Sequence, residues 1–396
     1  MVADLVSSFK TCVIDNLNSQ KINVDTTALK IIHHHRGDAV IHCGKSKWDG
    51  LSTEDLKNQN QVLKIDEILF EQNQLFIKLN RSSTYTECFK NIFAPESLFP
   101  INNGLDQERK IISLIYDTEC SFDDLTNFRI DLLVQTTRTL ATAAGYDVRT
   151  NKIGLNGLYF TYKSNQPKDS TGDHKIVLCG PVLNATASGK ERKMNVTNYK
   201  RLKKAILIHE MENRDNFDEE LSEVLVNAVL KFEFLRVKAC SPIMLQFSDS
   251  ETSSSGSAIF VLYNYSRLNA IIHEFENRVL KKYYPPLPSV ELIDFSVLKE
   301  EKEWILAFKY VMNFPLIVKE TVQHLQEGKP SPHLLCSFLF SFARTISSYY
   351  RSTKILLEAK PNLIPVVNAR IYLIKAIQRI LLTALELLDI KAVPVL

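Results

Sequence analysis

Between positions 333 and 354 the apolar residues Leu335, Phe338, Leu339, Phe342, Ile346, Tyr349 and Tyr350 recur at spacings of three, four and seven. The opposite stripe reads Ser337, Ser341, Arg344, Ser348 and Arg351. That period predicts an amphipathic helix with one face in a core. From 368 to 389 the polar line is narrow (Asn368, Lys375, Arg379, Thr383, Glu386) and almost all else is apolar, which predicts a central helix of a bundle. Further helices are expected near 296–313, 315–327, 331–357 and 365–389. Pro315, Pro332 and Pro365 stand near three of the starts, where a missing N–H costs little. A long helix covering 263–282 should break at Pro285-Pro286-Leu287-Pro288, and the serine-rich stretch 248–257 reads as a loop.

The first two hundred residues follow a different pattern. An opening amphipathic helix is followed by strand-like runs such as 39–43 and 74–79, so 1–105 reads as a small α+β domain ending in a linker near Pro100 to Gly104. A buried strand at 110–116 precedes a helix from Asp124 to Ala144, with Gly145 placed for a left-handed cap. Strands at 157–162 and 174–179 follow, and strand–helix–strand order predicts an α/β domain over 106–208. A helical connecting region at 209–295 and a helical bundle at 296–396 complete the expected organisation.

The chain has 396 residues, enough for two or three domains, and 45% of them are apolar. Only 12 glycines occur, which argues against a fold crowded with glycine-rich phosphate loops. Cys12, Cys43, Cys88, Cys120, Cys179, Cys240 and Cys336 are widely scattered, without a CxxC pair, as in a reducing compartment. The opening residues lack the uninterrupted apolar stretch of a signal peptide, and no apolar run is long enough for a membrane helix. The expectation is a cytoplasmic protein with no membrane partner.

The formal net charge is only +3, so attraction to nucleic acid must come from local patches. One candidate patch holds Lys190, Arg192, Lys193, Lys200, Arg201, Lys203 and Lys204, with Glu191 as its only acid. From 331 onward eight Lys and Arg face three acids, while compensating acids crowd 210–223 and 299–303. Two phosphate-neutralising surfaces fit that split, and so do two solvated basic faces. Tyr349, Tyr350 and Tyr372 beside Arg344, Arg351 and Arg370 suit stacking on an unpaired RNA loop, although helical spacing sends some of these tyrosines to the core.

Other chemistry is thin. His33, His34, His35 and His42 lack an acid or cysteine to complete a metal site at a familiar spacing, and no metal is expected. The segment Ala39 to Ser46 has the end of a P-loop without its first glycine. No GxSxG, HExxH or GxGxxG pattern occurs, and the acid pairs Asp123-Asp124 and Glu219-Glu220 read as turn or helix-start charges.

The segments Asn313 to Val318, Pro332 to Leu339, Ile346 to Tyr350, Ala369 to Leu373 and Leu385 to Ile390 recur in the order found in arginyl-tRNA synthetases. Together they resemble the helical DALR anticodon-binding domain of that family over about the last 85 residues. Upstream, Asn127 to Ile130 and Ala143 to Val148 resemble the first catalytic helix, and Leu262 to Leu268 is similar to the family's Gln-Tyr-Ala-Tyr-Ala-Arg helix. At the His-x-Gly-His tetrad this chain has Asp124, Leu125, Thr126 and Asn127. At the Lys-Met-Ser motif it has Lys193, Met194 and Asn195, followed by Val196 to Tyr199 instead of a basic, glycine-rich run.

The resemblance implies a multidomain α/β plus all-α fold: a degenerate class I synthetase-like Rossmann domain followed by a DALR bundle. Donors aimed at developing phosphate charge are worth ~3 kcal/mol each, and Asp124 would set a carboxylate beside a polyphosphate. Amino-acid activation should therefore be absent, with no cofactor. The resemblance is to synthetase-derived proteins that charge no tRNA, which implies a non-catalytic adaptor that selects arginine tRNAs for a 3-methylcytidine tRNA methyltransferase acting in the anticodon loop. The expected tRNA-binding residues are Arg344, Tyr350, Arg351, Lys354, Arg370, Lys375 and Arg379, with the 190–204 patch toward the acceptor side. An active synthetase with divergent motifs and a scaffold without RNA contact remain the alternatives.

Overall fold

A computed structural model describes residues 4–34, 36–42, 48, 51–59, 62–71, 73–94, 111–116, 124–150, 157–162, 174–185, 194–211, 219–245 and 255–396. In chain order its elements begin with α1 (Leu5–Ser19), β1 (Leu29–His34), β2 (Gly37–His42), α2 (Thr53–Gln59), β3 (Ile65–Glu71), β4 (Gln74–Leu79) and α3 (Arg81–Phe93). An α/β stretch follows: β5 (Ile111–Tyr116), α4 (Leu125–Ala143), β6 (Asp147–Thr150), β7 (Gly157–Thr161), β8 (His174–Leu178), β9 (Val182–Asn184), α5 (Val196–Met211), α6 (Glu219–Leu235) and β10 (Ile243–Leu245). The remainder is helical: α7 (Ser255–Leu280), α8 (Glu301–Trp304) with its π-helical continuation Ile305–Met312, α9 (Phe314–Gln323), α10 (Pro332–Ser352) and α11 (Ile364–Leu387). No helix among the described residues is long and apolar enough to cross a membrane.

The chain forms two compact units, and neither is a continuous segment. One comprises Met1–Leu98, Ile271–Leu316 and Ser348–Ile377; the other comprises Phe99–Ala270, Ile317–Ser347 and Gln378–Leu396. Helices α7, α10 and α11 each contribute residues to both units.

In the first unit β1 to β4 form an antiparallel sheet of order β1-β2-β4-β3. α1 starts at Asp4, whose carboxylate accepts from Ser7 N at 2.9 Å, and it buries Val6, Phe9, Val13, Ile14 and Leu17. α8 is one turn long, yet each of its residues is tied to a different neighbour. Arg81 donates to both Glu301 oxygens at 2.7 and 2.8 Å. Lys302 Nζ donates to Ser348 O at 3.2 Å and Ser352 Oγ at 3.0 Å. Glu303 takes Arg370 and Tyr349, and Trp304 Nε1 donates to the buried Asp38 at 2.8 Å. The sequence places this helix from 296. It starts later because Asp294 accepts from Ser296 N at 2.9 Å, a local turn that competes with helix, whereas Glu300 and Glu303 form a capping box.

The second unit carries a parallel sheet of order β6-β5-β7-β8. β5, α4 and β7 make the expected strand–helix–strand unit, β6 at Asp147–Thr150 is a strand the sequence reading does not place, and Gly145 closes α4 at φ 86, the left-handed value its place required. β9 pairs in parallel with β10 as a separate two-stranded sheet. Helix α10 buries Leu335, Leu339, Phe342, Ile346 and Tyr349 and exposes Ser337, Ser341, Arg344, Ser348 and Arg351, as its period predicts. It ends at Ser352 and not near 357: Ile355 turns into the core and Arg370 Nη1 takes the Lys354 carbonyl at 2.9 Å.

Candidate nucleic-acid interface

The sheet's strand order reverses around β5, which has β6 on one side and β7 on the other. In open α/β sheets such a switch point is where phosphate-bearing ligands meet the helix that follows the strand. Here Asp124 caps α4 with its own carboxylate, accepting from Thr126 N at 2.8 Å and Asn127 N at 3.2 Å. Asn195 caps α5 in the same way, accepting from Asn198 N at 2.8 Å. An antiparallel bridge joins Asp124 to Asn195, so the two synthetase-like motif positions meet backbone to backbone. Thr126, at the tetrad's glycine position, accepts from Val182 N at 3.1 Å through its hydroxyl. The amides that would hold a phosphate are thus occupied by side chains, one of them an anion. These residues do not fit ATP.

Arg129 is fully buried on α4, and its guanidinium reaches the carbonyls of Gly180 (2.6 Å), Ser241 (2.7 Å) and Lys238 (2.9 Å). Burial lowers its pKa to about 10. It ties α4 to two chain turns that lie so close that a Cβ on Gly180 would sit 2.2 Å from Ser241 O. The arginine is structural.

Of the 190–204 patch, Lys190, Arg192 and Lys193 lie outside the described residues. Lys203 is buried, at 3.1 Å from the equally buried Glu233, which also accepts from Tyr199 OH at 2.7 Å. Lys204 is held by Glu219 and, at 2.8 Å, by Glu223, and those hydrogen bonds raise its pKa. Arg201 is exposed, and half-buried Lys200 lies 5.7 Å from the Phe128 ring centroid. The patch is weaker than its sequence count.

Among the C-terminal candidates, Tyr350, Arg351 and Lys354 come together. They line an open groove of ≈ 530 Å³ with Ser352, Thr353, Ile355, Leu356 and, from α7, Ile271. Tyr350 is 40% exposed, while its neighbour Tyr349 is in the core. Helical phase separates them, so Tyr349 takes the core position and Tyr350 the exposed one. Arg344 is exposed on α10, seven residues before Arg351, and Arg379 is half-buried on α11. Arg370 has a side chain 12% exposed, paired at 2.8 Å with Glu303, which is wholly buried. Lys375 is paired with Glu276 at 3.0 Å. Sequence reasoning missed Ile271, Ile355 and Leu356 as the groove's apolar lining, and Glu303 as the carboxylate behind it. No group of three or more metal-ligating residues occurs among the described residues.

Residues 261–396 match the family described as the DALR anticodon binding domain. The chain is similar to a DALR anticodon-binding domain-containing protein 3 of Danio rerio, 31% identical over 57% of this chain and 42% of that protein. An arginine–tRNA ligase of Borrelia hermsii is 24% identical over 46% of this chain and 29% of the ligase. The matches thus span less than half the length of these curated relatives. The fold is similar to Thermus thermophilus arginyl-tRNA synthetase, with a TM-score of 0.65 at 12% identity, covering 98% of this chain and 99% of that one.

Proposed function

We propose that this chain, with an anticodon-binding-domain match over its helical end, is a cytoplasmic, non-catalytic tRNA-binding adaptor. It recognises arginine tRNAs and presents them to a 3-methylcytidine tRNA methyltransferase. The observation that carries the RNA half is the groove in which Tyr350, Arg351 and Lys354 converge beside apolar Ile271, Ile355 and Leu356. An aromatic face and two cations are what an unstacked base and its flanking phosphates require. Arg344 is exposed on α10 seven residues before Arg351. The non-catalytic half rests on Asp124, which fills the helix N-terminus where a nucleotide's phosphates would bind. The methyltransferase partner and the choice of arginine tRNAs rest on the resemblance to synthetase-derived proteins that charge no tRNA.

Three measurements test the reading. The purified chain is crosslinked to total cellular RNA and the retained RNA sequenced, with arginine tRNAs expected to dominate. Arginine-dependent ATP–pyrophosphate exchange is expected at background, and turnover at ordinary synthetase rates overturns the adaptor. Loss of the chain should lower 3-methylcytidine in arginine tRNAs, and unchanged modification removes the methyltransferase from the account.

A further inference from the structure

The groove wall from Tyr350 to Leu356 leaves the helix partway, because α10 ends at Ser352. Core residue Tyr349, just before the wall, and Lys354 within it both lead to one carboxylate. Glu303 Oε1 accepts from Tyr349 OH at 2.9 Å and from Arg370 Nε at 2.8 Å, and Arg370 Nη1 donates to Lys354 O at 2.9 Å. The second Glu303 oxygen accepts from Glu300 N at 3.0 Å, which fixes the carboxylate in its helix. Tyr349 immediately precedes Tyr350, and Lys354 supplies a cation to the groove. Burial and the nearby carboxylate hold the Tyr349 phenol protonated, well above its ordinary pKa, so it remains a donor.

We infer that Glu303 and Arg370 are positioning residues for RNA: they touch no nucleotide and hold the wall that does. This rests on the RNA-binding reading above. A guanidinium suits the task because its planar fork bonds a carboxylate and a carbonyl at once. A wall ordered before RNA arrives spares the complex the entropy of fixing long side chains. Arg370 is among the RNA contacts expected from the sequence, and its side chain pairs with buried Glu303.

The full chain is titrated with an arginine tRNA anticodon stem-loop transcript over a range of KCl concentrations. Arg351→Gln, the reference for a direct phosphate contact, should weaken binding and lower the salt slope by roughly 0.7–0.9. Glu303→Gln removes the buried anion and frees the arginine. It should weaken binding about tenfold with the slope unchanged. The neutral pair Glu303→Gln with Arg370→Gln, which avoids a lone buried charge, should also weaken binding at constant slope. Binding by Glu303→Gln as tight as wild type or tighter, or loss of about one slope unit in the neutral pair, overturns the inference and makes Arg370 a phosphate ligand.

Hydrogen exchange on the RNA-free chain reads the same inference without RNA. Amides of 353–356 should exchange faster in Glu303→Gln while those of α11 do not change, and equal rates overturn it. If wild type fails to bind, or Arg351→Gln changes neither affinity nor slope, the RNA-binding reading fails, and the exchange result still decides the positioning role.

Discussion

Replacing Lys203 with methionine separates the two roles this lysine could have. Its Nζ lies 3.1 Å from Glu233, with side-chain exposures of 5% and 4%. Removing one partner leaves a buried carboxylate without its counter-charge at 3.1 Å, while Tyr199 OH still donates to it at 2.7 Å. Breaking a buried pair in this way costs ~3–5 kcal/mol, because an uncompensated charge stays out of water. For a unit of this size each kcal/mol moves the midpoint by about 2–4 °C, so Lys203→Met should lower the melting temperature by roughly 10 °C. Adding Glu233→Gln removes the stranded charge and keeps an acceptor for Tyr199, so the double variant should recover more than half of the loss. Differential scanning calorimetry supplies the midpoints, and tRNA titration against salt supplies the slope, which should not move. A variant that melts within about 1 °C of wild type while its salt slope falls by nearly one unit would refute the reasoning and return Lys203 to the RNA surface.

Asp124→Ala removes the α4 cap and should cost about 1 kcal/mol in thermal unfolding, with no gain of ATP–pyrophosphate exchange, since the histidines and glycine of the tetrad are still absent. Trp304→Phe keeps the stacking on Phe308 but removes the indole donor to the buried Asp38 carboxylate, so denaturant titration should show a loss of about 1–3 kcal/mol. Burial pushes the thiols of Cys88, Cys179 and Cys336 up to about 12. Their peptides should stay unalkylated by iodoacetamide at pH 8 in the native chain. The unfolded thiols lose protons near pH 9 and the folded ones do not, so their contribution to stability is complete below pH 9 and declines between about 9 and 12. His333 runs the other way. Burial and Lys238 depress its pKa, so its contribution is present above about pH 6.5 and falls on acidification, which urea melts across pH 5–8 would show.

The elements were legible where one residue's surroundings are set by its neighbours in sequence. The α10 stripe, the strand–helix–strand unit closed by Gly145, and the proline-marked starts of the last helices follow from period and cap chemistry alone. Charge pairing was not. The acids at 219–223 and 299–303 look in sequence like a surface separate from the basic patches. In the fold Glu219 and Glu223 hold Lys204, and Glu303 holds Arg370. The Asp38–Trp304 bond spans 266 positions, and no local rule foresees it or the discontinuous units it helps to build. A basic count measures affinity for phosphate only after such pairs are subtracted. Among the described basic candidates, Arg351, Lys354, Arg344 and Arg379, with Lys200 and Arg201 of the other patch, are left after that subtraction.

Equilibrium binding of arginine tRNA to the full chain, wild type against Tyr350→Ala with Arg351→Gln and Lys354→Gln, tests the central claim most directly. The account predicts salt-sensitive binding by wild type, and a triple variant of unchanged melting temperature whose affinity falls at least a hundredfold with a slope shallower by roughly 1.5. Equal affinity and equal slope in the two proteins would contradict it.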